Sequence, residues 1–279
     1  MRLGVFSNTI SGSSPEEVAE CSRTAGVEAV QLRLEWPGLD VEGRAADRVR
    51  VRRAYEAAGI EVAAVAAYTN LFDPRLERRQ ANRRRLEHLI RITPEFGTSI
   101  IVTETGSYNP DDSWSDHAQN HTPEAWADLL TITDHLVRQC EQAGVVLAYE
   151  PYVNTVLSSA VKAQQLAEEI RSPALAFVFD GAGLVTPETL PNNTTITEEA
   201  LALLRGRIAL AHADDVRYED GKARWLPLGW GALDAHAVFK GLLSAGFDGA
   251  LIVEHLAQAL VPEALAYCRK HLATVEGGG

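Results

Sequence analysis

Positive charge is scarce in this chain. Lysine and arginine total 26 against 38 acidic residues, a net charge of −12. Such a surface repels nucleic-acid phosphates and anionic lipid, which excludes both as main partners. Cysteine is scarcer still. Cys21, Cys140 and Cys268 stand far apart in helix-like stretches and form no CxxC pair. That excludes a disulfide framework and a thiolate metal site, and leaves reduced thiols packed in helices. No apolar run approaches the roughly 18 residues of a membrane span. The first run, Leu3 to Phe6, is too short for a signal peptide and reads as a strand. The expectation is a cytoplasmic protein. No GxGxxG follows that strand, and neither a P-loop lysine nor a GxSxG elbow occurs. Nucleotide cofactors and a serine nucleophile are therefore not expected.

What is present is a regular alternation. The 279 residues are 46% hydrophobic and 23% charged, as in a globular protein. One large α/β domain of about 250 residues accounts for this length better than two small ones. Ser14, Pro15, Glu16 and Glu17 start a helix that Gly26 closes. A second helix over residues 47–58 stops at Gly59, and Thr122-Pro123-Glu124 opens another that ends at Gly144. Strands are expected at 3–6, 27–32, 60–67, 99–103, 145–149, 175–179, 208–212 and 250–254. Each is followed by a helix, and no linker interrupts the series. Apolar strands with little alternation fit a parallel sheet covered by helices, and eight equal units close into a barrel. The barrel is expected over residues 1–275, with 276–279 as a flexible tail. The arginine-rich helix after residue 75 reads as a solvated face. The polar stretch 104–122 has the length of a lid or binding loop.

Four strands end abruptly in a polar group. Val145–Tyr149 runs into Glu150, Leu175–Phe179 into Asp180, Ile208–Ala211 into His212, and Ala250–Val253 into Glu254. The C-terminal ends of a parallel barrel share one mouth, where such barrels place their chemistry. Glu, Asp, His and Glu together make an oxygen-and-nitrogen donor set for a divalent metal.

Five segments carry a resemblance: Val102-Thr103-Glu104-Thr105-Gly106, Tyr149-Glu150-Pro151, Asp180-Gly181-Ala182-Gly183-Leu184, Ala211-His212-Ala213-Asp214-Asp215 and Pro227 to Asp234. In order along nearly the whole chain, they resemble the sugar phosphate isomerase/epimerase superfamily, the xylose-isomerase-like TIM barrels. The resemblance implies a single (β/α)8 TIM barrel. It implies one divalent metal (Mn, Mg, Co or Zn) on Glu150, Asp180, His212 and Glu254, with Glu150 and Glu254 as the acid/base pair. The implied activity is isomerisation or epimerisation of a sugar or related hydroxy-carbonyl compound, by proton transfer through an enediolate. The family also contains dehydratases and a DNA-repair endonuclease branch, so a metal-dependent dehydratase or lyase on a keto-sugar or cyclitol stays open. The acidic charge speaks against the endonuclease. A non-catalytic sugar-binding barrel is the reading from another class. The chain departs from the family pattern at Gly183, often Asn or His, at Tyr152, commonly His, and at Asp214, commonly Lys.

Other residues are candidates to contact substrate. Glu104 ends the fourth strand and could orient a hydroxyl. Arg217, five residues after His212, suits a hydroxyl or phosphate, or else a surface ion pair. Tyr152, Trp36 and Trp114, with Trp225 and Trp230, lie after strands and suit an aromatic wall against a sugar. His117 and His121 read as loop histidines, and His255 as structural. The partner expected is a small sugar-like molecule, with assembly into a homo-oligomer left open.

Overall fold

The computed structural model describes residues 1–277. Strands β1 (Arg2–Phe6), β2 (Ala29–Leu32), β3 (Glu61–Ala66), β4 (Ile100–Thr103), β5 (Val146–Tyr149), β6 (Leu175–Phe179) and β7 (Ile208–His212) alternate with helices. The helices are α1 (Pro15–Thr24), α2 (Ala45–Ala58), α3 (Leu76–Ile92), α4 (Pro123–Ala143), α5 (Ala160–Ile170) and α6 (Asn193–Leu203). An antiparallel hairpin of β8 (Asp214–Glu219) and β9 (Lys222–Pro227) follows β7. Then come α7 (Ala235–Ser244), β10 (Ala250–Val253) and α8 (Val261–Gly277). Eight strands close in the order β1-β10-β7-β6-β5-β4-β3-β2. Parallel pairing of β1 with β10, Val5 opposite Val253, seals the ring. The fold is a single (β/α)8 barrel. α8 runs to Gly277, into the stretch expected as a tail from 276, and residues 278 and 279 lie outside the described residues.

Local chemistry sets the boundaries. The hydroxyl of Ser14 accepts from Glu17 N at 3.2 Å to start α1, and Thr122 caps α4 in the same way through Ala125 N. Gly59 and Gly144 end α2 and α4 with φ of 70° and 66°, a left-handed turn that glycine adopts without strain. The arginines of α3 are largely spent on ion pairs, Arg83 with Asp128 at 2.8 Å and Arg85 with Glu42 at 2.6 Å. No helix among the described residues is long and apolar enough to cross a membrane.

Two cores follow from the two-residue period of the strands. Leu3, Val5, Val30, Leu147, Tyr149, Phe177, Phe179, Leu251 and Val253 face the helices. Ala29, Ala64, Val102, Ala148, Val178, Leu210 and Ile252 fill the barrel interior. The interior is tight: a Cβ on Gly4 would sit 2.6 Å from Ile252 Cδ1. This parity places the site. Two residues beyond the interior positions Ala29, Val102, Ala148, Val178, Leu210 and Ile252 stand Gln31, Glu104, Glu150, Asp180, His212 and Glu254, on the same face at the C-terminal mouth.

Candidate metal centre and active-site cavity

His212 is the hub. It is 1% exposed, and its Nδ1 lies 2.9 Å from Glu254 Oε1 and 3.5 Å from both Glu150 Oε1 and Asp180 Oδ2. Its Nε2 lies 2.8 Å from Gln31 Oε1. The Gln31 amide is oriented from its other end, where Nε2 donates to the Tyr68 hydroxyl at 3.0 Å. With the amide in this orientation Gln31 Oε1 accepts and His212 Nε2 donates. Tyr68 in turn donates to Glu150 Oε2 at 2.6 Å. A closed circuit of Glu150, Tyr68, Gln31 and His212 thus fixes two of the four strand-end groups. Asp180 is held separately, its Oδ1 accepting from Gly183 N at 2.9 Å.

The electrostatics are those of crowded acids. Burial pushes Glu150 up to about 7, helped by the charges of Asp180 and Glu254 and opposed by His212. Burial alone would lower His212, but Glu254 and Glu150 hold it well above its usual value. Burial would raise Asp180, yet its contact with His212 keeps its carboxyl below the ordinary range. Glu104 is raised well above the usual carboxyl value, first by burial and then by the charges of Glu150 and Asp180. Glu150, Asp180 and His212 each offer a donor atom within 4.8 Å of the others. Two carboxylates and an imidazole whose Nδ1 faces them, with Glu254 beside it, suit a hard or borderline divalent cation.

Above this cluster opens a cavity of about 280 Å³. Its floor is Glu104, Glu150 and Asp180, and its walls are Trp114, Tyr152, Trp225 and His255. The β8–β9 hairpin supplies one wall, since Trp225 stacks on His255 at 5.4 Å and meets Tyr152 at 6.0 Å between ring centroids. Tyr218 pins the hairpin by donating to Val185 O at 2.8 Å. The long loop 104–122 supplies the other wall. Buried Asn120 accepts from Tyr108 N and donates to Asn154 O, each at 2.9 Å, and leaves Trp114 half-exposed at the rim.

Two of the residues expected to contact substrate stand outside this cavity. Trp36 is 5% exposed, packs edge-on against Tyr55 and donates to Arg33 O, so its indole is spent in the outer core. It borders a wider hollow of about 710 Å³ formed by residues 33–42, away from the clustered donors. Arg217 lies on the exposed face of β8 opposite Arg224 and does not line the cavity, because the strand's alternation turns it outward. Trp230 does not line it either. His255, read as structural, does line it. Gln31 and Tyr68 escaped notice. A glutamine among Ala29, Val30 and Leu32 was the available signal for the first.

A closed parallel barrel with a buried carboxylate–imidazole cluster at its mouth defines a class. A family model for xylose isomerase-like TIM barrels matches residues 19–271, and the chain belongs to that family. No curated protein matches by sequence. Among solved structures the chain resembles an L-ribulose 3-epimerase, at 17% identity and a TM-score of 0.75 over 99% of this chain and 96% of that one. A 3-keto-D-glucoside 4-epimerase from E. coli is similar at 16% identity and 0.73, covering 97% and 99%. A barrel from Mycobacterium smegmatis, solved with magnesium, is similar at 17% and 0.70, covering 93% and 88%. At these identities the likeness is one of fold.

Proposed function

We propose that the protein is a divalent-metal-dependent isomerase or epimerase of a sugar or related hydroxy-carbonyl compound. The observation that carries this reading is the gathering of Glu150, Asp180 and Glu254 around His212 Nδ1, with Gln31 fixing the imidazole from behind. Glu150, Asp180, His212 and Glu254 would hold one cation. A bound cation would supply Lewis acidity toward a substrate carbonyl and its neighbouring hydroxyl. Glu150 on the cavity floor and Glu254 beside it at His212 act as the proton-transfer pair. One removes the proton α to the carbonyl and the other returns a proton to the enediolate. The Tyr68 hydroxyl stabilises Glu150 as a carboxylate between transfers. Epimerases among the similar folds support the reading.

The cavity favours a neutral substrate. Among the described residues no lysine or arginine lines it, so a substrate phosphate would find no side-chain cation to pair with. The aromatic walls suit the C–H faces of an unphosphorylated sugar.

A second reading rests on Glu104. Burial and the neighbouring charges of Glu150 and Asp180 raise its carboxyl well above the usual value, which favours donating a proton to a departing hydroxyl and turning proton abstraction into dehydration.

The test is solvent deuterium incorporation into a panel of free ketoses and their phosphates, on protein whose metal content has been measured. Deuterium in an isomer or epimer of a free sugar is the expected outcome. An unsaturated product selects dehydration. Sugar binding with no exchange in metal-loaded protein overturns the catalytic reading and leaves a binding barrel.

A further inference from the structure

One buried carboxylate at the mouth has no hydrogen-bond donor among the described residues. Asp214 is 1% exposed, and among the described residues no N–H or O–H donor reaches either of its side-chain oxygens; the polar group it meets is the Asp180 carboxyl, another acid. It stands two residues beyond His212, directed into the same cluster. Asp180, Glu254 and His212 are among the charged groups around it, and two of these are acids. A buried carboxylate without donors is expensive unless it is paired or binds a cation.

Asp214, Glu254 and His255 each present a donor atom, and the three atoms lie within 4.8 Å of one another. Ligand bonds of about 2.0–2.2 Å place opposite ligands of one ion roughly 4 Å apart, so this spread is of the right size. The set is distinct from the group of Glu150, Asp180 and His212. Glu254 reaches both, its Oε1 lying 2.9 Å from His212 Nδ1 and 3.7 Å from His255 Nε2. His255 adopts φ of 56°, a left-handed conformation that only a few per cent of non-glycine residues take. Trp225 stacks on its ring. The imidazole is 41% exposed, so water from the cavity can complete a coordination sphere.

We propose that Asp214, Glu254 and His255 form a second divalent-cation subsite, bridged to the first through the Glu254 carboxylate. It takes a hard or borderline ion of the Mn²⁺, Co²⁺ or Zn²⁺ kind through two carboxylates and one imidazole. The proposal rests on the reading of the first centre, since Glu254 is shared.

The experiment is a Mn²⁺ titration of chelator-stripped full-length protein, followed by calorimetry and electron paramagnetic resonance. Two ions per chain are expected, with an exchange-coupled signal at saturation. Asp214→Asn and His255→Gly should each bind one ion and give an uncoupled signal. If Asp214→Asn does not fold, His255→Gly gives the same reading, because glycine accepts the positive φ at a half-exposed position. One ion in the wild type and in the variants overturns the second subsite and leaves the first, with Asp214 a protonated acid. Two ions in both variants place the second ion elsewhere and overturn it equally. No ion in the wild type removes the first centre as well.

Discussion

Gln31 and His212 stand 181 residues apart in the chain and meet at 2.8 Å behind the strand-end cluster. Because the Gln31 amide is committed to Tyr68 through its nitrogen, its oxygen can only accept, and the imidazole is left with Nδ1 free toward the carboxylates. Replacing Gln31 by Leu keeps the volume and removes the anchor. Cation affinity should fall by about 10–100-fold, the usual effect of losing such a support. Calorimetric titration of the variant checks this, and unchanged affinity would free His212 of any need for it.

Tyr68→Phe removes the 2.6 Å hydrogen bond to Glu150. A hydrogen bond to a charged group contributes about 1.5–3 kcal/mol, so kcat should drop roughly 10–100-fold. The acid limb of the pH–rate profile should move upward, because the carboxylate has lost its donor. Cation affinity should fall as well, because the same hydroxyl orients Gln31 behind His212.

Exchange of Glu150 or Glu254 for Gln removes a proton carrier while keeping its shape. Turnover should fall by about 10²–10⁴-fold, with an unchanged circular dichroism spectrum. Full activity in Glu254→Gln would remove that residue from the proposed pair.

Cation uptake should release protons. In the cation-free protein Glu150 is pushed up to about 7 and His212 is held above its usual value, so both carry protons around and below neutral pH. Binding requires the carboxylate and the neutral imidazole. Affinity should therefore weaken as pH falls through 7 and strengthen above it. Calorimetry in buffers of different ionisation enthalpy measures the protons released; uptake of protons, or no exchange, would contradict the assignment.

Asp215 is a structural clamp beside the site. Fully buried, it accepts from the backbone amides of Val216, Gly229, Gly231, Ala232 and Leu233 at 2.8–2.9 Å. Asp215→Ala strands several buried donors and should cost at least about 3 kcal/mol. A fall in Tm of roughly 6–12 °C follows, read by calorimetry.

Much of this was legible in the chain itself. The βα alternation is written in apolar runs, caps such as Ser14 and Thr122, and stops such as Gly59 and Gly144. The strand-end residues Glu150, Asp180, His212 and Glu254 were visible because a strand's two-residue period carries the interior face from Ala148, Val178, Leu210 and Ile252 straight onto them. Loops lack that periodicity, so the contacts expected of Trp36 and Arg217 could not be tested against it. An indole can turn into the outer core and a hairpin residue can face outward without any change in pattern.

Sequence alone determined the barrel, its boundaries to within a few residues, and which strand ends bear acids or imidazole, because these depend on local periodicity and turn chemistry. Closure of the ring decided the rest. Only when β1 pairs with β10, and β2 comes round to the far side of the mouth, does Gln31 reach His212, while Tyr68 reaches Glu150 across the intervening β4. The isolation of Asp214 has the same origin. Whether a buried carboxylate finds a donor depends on every strand that converges there, and no stretch of sequence carries that information by itself.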